Sequence, residues 1–421
     1  MAANLRFALI AAAALSVACG SDPAPAPPAS AAGASGRGGV GGMVGAGGSG
    51  GTAPDAGSGG SAATGGSGGL AGDSGSDASG GSGGCREFVM PADCTIPPGA
   101  VLPGELRCTG LYGDWDKREL ACGVVGFEPA FQLWSDGAEK HRYVYLPPRT
   151  TIDVKNPDGF VFPVGTQFWK EFRVPADGGF RLGETRLLRK SRDGWLYTSY
   201  VWSEDAKSTL QTNDGVANLH GTGHTVPTRD QCKDCHVGRT DFILGWDFVL
   251  LGQGASGLTL DALVQKRLLA ENGNPTNPSP AQIPGDDVER AALGYLHANC
   301  GVSCHNDTAE ARGKPSGLFL RLETGELGSV FTTDAVTTGI NRVPNPNAEV
   351  GGLPPPRGGP YYDFRPLDLE RSLSVVRMDM RGTASQMPRI GTNKIDAAGV
   401  SVINAWVEHM TEARGYPAPA P

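Results

Sequence analysis

The sequence has no excess of basic charge and, beyond its first 20 residues, no apolar run long enough to cross a bilayer as a helix. Its 36 Lys and Arg residues are outnumbered by 44 Asp and Glu residues, which gives a net charge of −8. Because proteins bind nucleic acid through cations that neutralise phosphates, we expect no nucleic-acid partner. Histidine is also scarce, with seven in 421 residues, so few positions offer an imidazole ligand.

The chain begins with the pattern of an export signal. Arg6 precedes an apolar run at residues 7–17, and Cys19 follows that run closely. The run is too short to span a bilayer and has the order of a secretory signal. Small residues that lead into a cysteine resemble a bacterial lipoprotein signal. The resemblance implies a signal peptide at 1–19, lipidation of Cys19 and, because Gly20 follows, an outer-membrane anchor that faces the periplasm or the cell surface. An ordinary cleaved signal peptide is the alternative.

The next segment, residues 20–84, consists almost wholly of Gly, Ser, Ala and Pro with a few Asp. Such a composition buries too little apolar surface to offset the entropy lost when a chain becomes ordered. We therefore predict a disordered tether between the anchor and the folded part of the protein.

Residues 85–230 have the texture of a β-rich domain. Short stretches rich in β-branched and aromatic residues are separated by turn sequences such as NPDG and PADGG. This pattern is typical of an antiparallel sandwich or barrel, and we predict a β-sandwich-like domain. The predicted strands are 142–146, 160–164, 168–174, 185–191 and 195–202. Four cysteines at wide spacings begin this domain and are candidates for one or two disulfides: Cys85, Cys94, Cys108 and Cys122. Four cysteines allow three pairings, and the sequence does not choose among them.

After residue 240 the pattern becomes helical. Apolar residues recur at helical spacing in 259–271, in a segment that ends at Cys300, and in 396–410. Asp286 and Glu289 have the spacing of a capping box at the start of the second helix. Residues 310–365 are rich in Gly and Pro, and we expect a long ordered loop there with one short hairpin.

The string QCKDCHVG contains Cys232, Cys235 and His236 in the spacing that attaches a c-type haem. Two thiols form thioethers with the two vinyl groups of the porphyrin, and the histidine that follows binds the iron. An export signal agrees with this chemistry, because c-type haem is attached outside the cytoplasm. We assign 231–285 as the first haem-attachment segment and its helix.

A second motif, HANCGVSCHND, has three residues between Cys300 and Cys304 where the usual motif has two, and His305 follows. A loop that bulges by one residue keeps its ends nearly in place, so the prediction is a second haem. Two alternatives remain open for the four thiols: a shared zinc site with Cys232 and Cys235, or a disulfide within each pair.

The sixth ligands are less clear from sequence. Met387 precedes Pro388 in an irregular loop before the last helix, and this loop resembles the one from which bacterial cytochromes c bring a distal methionine to the iron. The resemblance implies Met387 as the distal ligand of the second iron. A buried packing role is the alternative, and Met378 and Met380 are competitors. For the first iron, His224 is a candidate sixth ligand, with His220 close by in the same loop.

These strings together resemble a family of exported bacterial proteins in which a β-rich segment precedes haem-attachment motifs. The matching strings include FQLWSDGAEKHRYVYLPP, FPVGTQFWKEF, CKDCH followed by FILGWD, YLHANCGVSCHN and RMDMRGTASQMPRIGT. Some members are fused to, or encoded beside, quinoprotein-type sugar dehydrogenases. The resemblance implies haem c binding and electron transfer, with an α-helical cytochrome c-like domain at 286–415 after the β-rich one. The family's second motif has a two-residue spacer, from which this chain departs.

The sequence therefore predicts a membrane-anchored c-type cytochrome that transfers electrons in the periplasm through two covalently bound haems. Its expected partner is a redox protein such as a periplasmic dehydrogenase or another cytochrome, and an electron carrier is favoured over a catalyst. A di-haem oxidoreductase, or the electron-accepting subunit of a quinoprotein dehydrogenase, is one alternative. A haem-free surface lipoprotein stabilised by disulfides is the other.

Overall fold

The computed structural model describes residues 85–96, 101–344, 353–354 and 356–421. These residues belong to one compact unit, Ser79–Pro421. The predicted signal peptide with its lipidated Cys19, and the predicted tether, lie outside the described residues. Within the described part of the chain, no helix has the length and apolarity that a membrane span requires.

Twelve strands form among the described residues, and the prediction of a disulfide-linked antiparallel β-region is confirmed. They are β1 (Tyr112–Asp114), β2 (Glu119–Leu120), β3 (Val124–Glu128), β4 (Glu139–Tyr145), β5 (Ile152–Asp153), β6 (Gln167–Ala176), β7 (Gly179–Ser191), β8 (Gly194–Trp202), β9 (Thr209–Thr212), β10 (Ser256–Gly257), β11 (Leu269–Glu271) and β12 (Asn274–Pro275). Seven of them make one antiparallel sheet in the order β10-β3-β4-β6-β7-β8-β9. A two-stranded sheet, β1-β2, and a three-stranded sheet, β12-β11-β5, accompany it.

The centre of the large sheet is a set of consecutive hairpins. Asp177 and Gly178 join β6 to β7, and both have positive φ, 48° and 79°. Positive φ at both central residues defines the two-residue turn whose twist matches that of paired strands, and Asp-Gly is a preferred pair for it. One face of these hairpins buries Trp169, Leu187 and Tyr200 in an apolar core.

The four isolated cysteines form the disulfides Cys85 to Cys122 and Cys94 to Cys108, which fixes the pairing that sequence left open. Both bonds hold the loop-rich entry segment against the sheet, where Arg86 also bridges Ala121.

Replacing Cys94 and Cys108 together by serine is expected to lower the free energy of unfolding by about 3 kcal/mol. The pair is separated by 14 residues, and a loop of that size restricts the unfolded chain by about this amount. The wider Cys85 to Cys122 bond, with a separation of 37, should contribute slightly more. Urea unfolding of each double-serine variant under oxidising conditions measures both; a smaller loss for the wider loop would contradict the loop-entropy argument.

One of the predicted strands is wrong. Residues 160–164, all of which the structure describes, form no strand of the large sheet; Val161 makes only an isolated bridge to Asp153. Phe160 and Phe162 are buried and both pack on Trp246, and Phe162 also packs on Phe168 of β6, with the ring centres 5.0 Å apart.

The helices are short. Among the described residues they are α1 (Arg229–His236), α2 (Leu260–Gln265), α3 (Asp287–Leu296), α4 (Asp334–Gly339), α5 (Leu373–Met378) and α6 (Ala397–His409). The helix predicted at 259–271 ends early because Arg267 has a positive φ of 55°, and the chain then enters β11. The segment 310–365 contains α4 and several single 3₁₀ turns, and none of its described residues forms the predicted hairpin.

The fold after residue 286 agrees with the predicted helical domain only in part. α3 packs against α6, and the contact is so close that a Cβ at Gly399 would lie 2.2 Å from the Tyr295 hydroxyl. Tyr295 also donates a hydrogen bond to Asp396 at 3.1 Å. The remaining helices are one or two turns long, and irregular segments join them. The described residues therefore show a pair of packed helices without a clear cytochrome-like helical domain.

Candidate functional site

The first haem motif lies on α1. Thr228 caps the helix through a capping box with Gln231, so the motif begins on a fixed turn. Cys232 and Cys235 are three residues apart in this helix, which places both thiols on one side of it. Both are free and half-buried. Burial raises the pKa of Cys232 and raises that of Cys235 to about 11, so the thiols are protonated at neutral pH.

His236 ends the same helix with its ring oriented by a backbone carbonyl. Its Nδ1 lies 2.6 Å from the Phe242 carbonyl oxygen. A carbonyl only accepts, so Nδ1 carries the proton and Nε2 keeps a free lone pair. Burial lowers the pKa of His236 to about 4, which keeps the imidazole neutral. A neutral ring with Nδ1 held by a carbonyl is the usual state of a metal-binding histidine.

The second motif begins with a π-helical turn, His297–Gly301, that continues α3 and contains Cys300. The Val302 N–H donates to the His297 carbonyl at 2.9 Å, and the His305 N–H donates to the Cys300 carbonyl at 2.8 Å. Each bond spans five residues, one more than in an α-helix, so the turn accommodates the extra residue of the spacer. Cys300 and Cys304 are then four residues apart on a helical turn and again share one side.

His305 repeats the arrangement of His236. Its Nδ1 lies 3.1 Å from the Leu318 carbonyl oxygen, and burial lowers its pKa to about 4. Three of the other five histidines have Nε2 hydrogen-bonded to an oxygen of the protein instead: His220 to Trp202 (2.8 Å), His224 to Glu184 (2.9 Å) and His409 to Asp286 (2.7 Å). In His297 it is Nδ1 that accepts a hydrogen bond, and Nε2 lies 3.3 Å from Asp247. His141 lies on β4 with an exposed side chain. The two motif histidines are therefore distinguished by their hydrogen bonding as well as by their sequence.

The structure brings the two motifs together. Asp234, between the cysteines of the first motif, forms an ion pair with Arg312, which follows the second. The Thr308 hydroxyl donates to the Gly238 carbonyl at 3.3 Å. Gly238 approaches so closely that a Cβ there would lie 3.0 Å from the Ser303 carbonyl oxygen. Two groups attached at these motifs would be neighbours.

Met387, the predicted distal ligand, is tied to α5 by a backbone hydrogen bond. Its N–H donates to the carbonyl of Arg377 at 2.9 Å, and its side chain is partly buried. The Arg377 guanidinium is close enough to His305 to lower the pKa of that histidine, although burial is the larger cause. The two predicted axial ligands thus lie near the same residue of α5. Met378, a competitor, is 6% exposed and packs in the apolar core, while Met380 is partly buried.

His224, the candidate sixth ligand of the first iron, is buried and already has a partner. Its Nε2 lies 2.9 Å from a carboxylate oxygen of Glu184, and its ring lies 5.7 Å from that of Phe172. Its Nε2 would have to leave Glu184 in order to bind iron.

The alternatives for the four thiols differ from the observed geometry. All four are free, so neither pair is a disulfide here. A four-thiolate zinc site requires four thiols gathered around one point, and the described residues contain no group of even three Cys, His, Asp or Glu side chains placed to hold a metal ion. A haem makes no such demand, since the porphyrin supplies four of the iron's ligands.

Two features beside the motifs were not predicted from the sequence. One is a row of three cations across the large sheet: Arg142, Lys170 and Arg186. The other is a buried ion network of Arg239, Asp247 and His297. The first could be found only with the strand register, and the second only with the three-dimensional positions of residues far apart in sequence.

Comparisons with known proteins add no evidence about the function of this site. No family model, no curated protein and no solved structure matches the chain. The resemblance to exported haem proteins therefore stays an expectation from the sequence.

Proposed function

We propose that this chain is a c-type cytochrome that holds two haems, one through Cys232, Cys235 and His236 and the other through Cys300, Cys304 and His305. The observation that carries the proposal is the repeated state of the two histidines. In each, a backbone carbonyl holds Nδ1 and leaves Nε2 free, next to two thiols on one side of a helical turn.

The residues present fit the group. Two thiols at each site match the two vinyl groups that form thioethers, and each histidine supplies one axial nitrogen. When bound, haem iron accepts and returns single electrons. The protein's part is to fix the histidine tautomer, to keep the rings neutral and to hold the two sites next to each other through Asp234 and Arg312. Adjacent sites favour electron transfer between them over a reaction on a bound organic substrate.

For the second haem we propose Met387 as the distal ligand, in a cytochrome c-like arrangement of residues 286–415. The packing of α3 on α6 and the position of Met387 near Arg377 support this arrangement. A thioether ligand would give this haem a higher reduction potential than a second histidine would.

The setting we propose is the periplasm or cell surface, with the chain anchored in the outer membrane through a lipid on Cys19. The tether would let the haem region reach a redox partner such as a periplasmic dehydrogenase or another cytochrome. Exposed haem edges, and not an enclosed substrate site, would then make the contact.

A second function, that of a di-haem oxidoreductase, is favoured by one observation. His224 is the candidate sixth ligand of the first iron, but its Nε2 is hydrogen-bonded to Glu184 and so is not available to the iron. An iron left with an open position at this motif is what a catalyst requires, whereas electron transfer alone is served by two axial ligands.

The first test is a count of covalently bound haem. Full-length protein produced with a haem-attachment system and purified after export is expected to contain two haems per chain, measured from the absorbance of the denatured haem. A colourless protein would refute the proposal and leave the haem-free lipoprotein. Carbon monoxide added to the reduced protein separates the other two functions: binding at one haem supports the oxidoreductase, and binding at neither supports the electron carrier.

A further inference from the structure

The large sheet carries three cations side by side. Arg142 on β4 is directly opposite Lys170 on β6, and Lys170 is directly opposite Arg186 on β7. Neighbouring strands are about 4.8 Å apart, and like charges directly opposite one another destabilise a sheet. Nearby negative charges are therefore needed to offset the repulsion among these three cations.

Two of the three cations have a carboxylate partner. Arg142 donates to Glu128 at 2.6 Å, and Arg186 makes a bidentate pair with Glu184 at 2.6 and 3.0 Å. The Lys170 amine forms no hydrogen bond or ion pair with any residue that the structure describes; its Nζ lies 5.0 Å from the centre of the Phe172 ring. Three cations and two carboxylates leave one positive charge without a partner, and it belongs to the central residue.

The lysine is also poorly solvated. Burial lowers its pKa well below the usual range, and the fields of Arg142, Lys140 and Arg186 lower it further. The Lys140 amine donates a hydrogen bond to the Leu133 carbonyl at 2.8 Å. Because Lys140 is itself a cation, it cannot neutralise the charge of Lys170. A carboxylate next to Lys170 would reverse this penalty, because an opposite charge favours the protonated amine.

The row lies beside the first haem motif. The His236 ring lies 4.8 Å from the Phe242 ring, which lies 5.0 Å from the ring of Tyr197 on β8. Tyr197 is directly opposite Leu188, which lies two residues along β7 from Arg186 and therefore on the same face of the sheet. Arg186 is also close enough to Cys232 and Cys235 to interact with both thiols. The unpaired cation therefore lies on the sheet face that contacts His236 through Phe242, in the row of residues next to that of Tyr197.

We propose that Lys170, between Arg142 and Arg186, binds a carboxylate of the porphyrin that Cys232, Cys235 and His236 hold. The inference rests on the proposed function, and it adds to that function a residue on the sheet that orients the haem and sets its potential. One porphyrin carboxylate supplies the one negative charge that the row lacks. A small anion from solution has the same chemistry, so the test has to separate the two sources.

The test compares Lys170→Gln with Lys170→Arg, and with Arg173→Gln as the control. Arg173 also lies on β6, but its side chain is 41% exposed and pairs with Glu139. Removing a positive charge near an iron destabilises the reduced form. At an effective dielectric constant of about 20, we expect Lys170→Gln to lower the reduced-to-oxidised ratio of the first haem about tenfold at a fixed applied potential. For a one-electron couple this corresponds to about 59 mV.

Spectroelectrochemical titration of the full-length protein measures the reduction potentials of both haems in one experiment. We expect the second haem to keep its potential in every variant, Lys170→Arg to keep that of the first, and Arg173→Gln to change neither. Covalent haem should stay at two per chain throughout, since the thioethers do not depend on Lys170. Wild-type potentials should not respond to inorganic phosphate.

Two results would overturn the inference. An unchanged first potential in Lys170→Gln would show that no haem carboxylate depends on this amine. A shift of the wild-type potential by phosphate that disappears in Lys170→Gln would show that a solution anion occupies the site. A wild-type chain without haem at the first motif would instead refute the proposed function, and the inference with it.

Discussion

Replacing Cys300 and Cys304 together by serine is expected to remove one of two covalent haems, and with it the optical band that reports a sulfur ligand on iron. The reason is the π-helical turn at His297–Gly301, which places both thiols on one side despite the three-residue spacer. Replacing Cys232 and Cys235 should remove the other haem and leave the sulfur band intact. Haem per chain, measured after denaturation, gives the count, and long-wavelength absorbance of the oxidised protein gives the band.

Met387→Ala separates attachment from ligation at the second site. It should keep both haems, because the thioethers remain, and should lose the sulfur band. Met380→Leu is the matched control, since Met380 lies in the same region and is also partly buried. Retention of the band in Met387→Ala would show that another residue supplies the sulfur. A chain with its full haem content after loss of Cys300 and Cys304 would show that the second motif attaches nothing.

The turn explains why the spacer alone was ambiguous. In sequence, three intervening residues differ from the usual pattern by one residue, and nothing local says how the backbone absorbs it. In the structure the Cys300 carbonyl accepts from both the Cys304 and the His305 N–H groups, at 3.2 and 2.8 Å. Separations of three and four residues both put side chains on one helical face, so the two motifs present their thiols in similar ways.

Local chemistry was predictable from the sequence, and long-range pairing was not. The capping box of Asp286 and Glu289 and the hairpin strands β6 to β8 depend on neighbouring residues and were expected. The disulfide partners depend on how the entry segment folds onto the sheet. The helix predicted at 259–271 ends before Arg267, because Arg267 has a left-handed conformation. The pattern of apolar residues in the sequence does not reveal that conformation.

The three cations on the sheet are a second example of a long-range arrangement that the sequence does not predict. Arg142, Lys170 and Arg186 occupy positions on a largely covered face of β4, β6 and β7, where apolar residues are expected. Each looks like an ordinary alternating charge in its own strand. Only the register, which sets all three in one row, shows that they concentrate charge beside His236.

A buried ion network joins the two haem segments. Asp247, 2% exposed, lies 3.6 Å from Arg239, which follows the first motif, and 3.3 Å from Nε2 of His297, which precedes the second. The Leu322 N–H donates to Nδ1 of His297 at 2.9 Å, so the ring proton is on Nε2 and faces the carboxylate. The Asp247 carboxylate also accepts the Leu250 N–H at 2.7 Å.

Asp247→Ala is expected to lower the free energy of unfolding by about 3–5 kcal/mol, because it leaves Arg239 buried without its counter-charge. Asp287→Ala is the control: that carboxylate is 99% exposed and pairs with Arg290, so its loss should cost less than about 1 kcal/mol. Urea unfolding of the haem-loaded protein, followed by far-ultraviolet circular dichroism, measures both. A loss for Asp247→Ala as small as the control's would show that the desolvation cost of the buried charges cancels their attraction.

Acid should act on the same network. Burial by itself raises the pKa of Asp247, but His297, Arg239 and the Leu250 N–H outweigh it, so the pKa of the folded protein lies below the ordinary value. A carboxyl with a lowered pKa stabilises the folded state at any pH above its unfolded value, about 4, and loses that contribution as the pH falls through the folded value. The difference in stability between wild type and Asp247→Ala should therefore be constant near neutral pH and shrink below about pH 4. If the difference instead grew as the pH fell from 8 to 6, the stabilising charge would be on a histidine, whose protonated form the fold would favour, and not on Asp247.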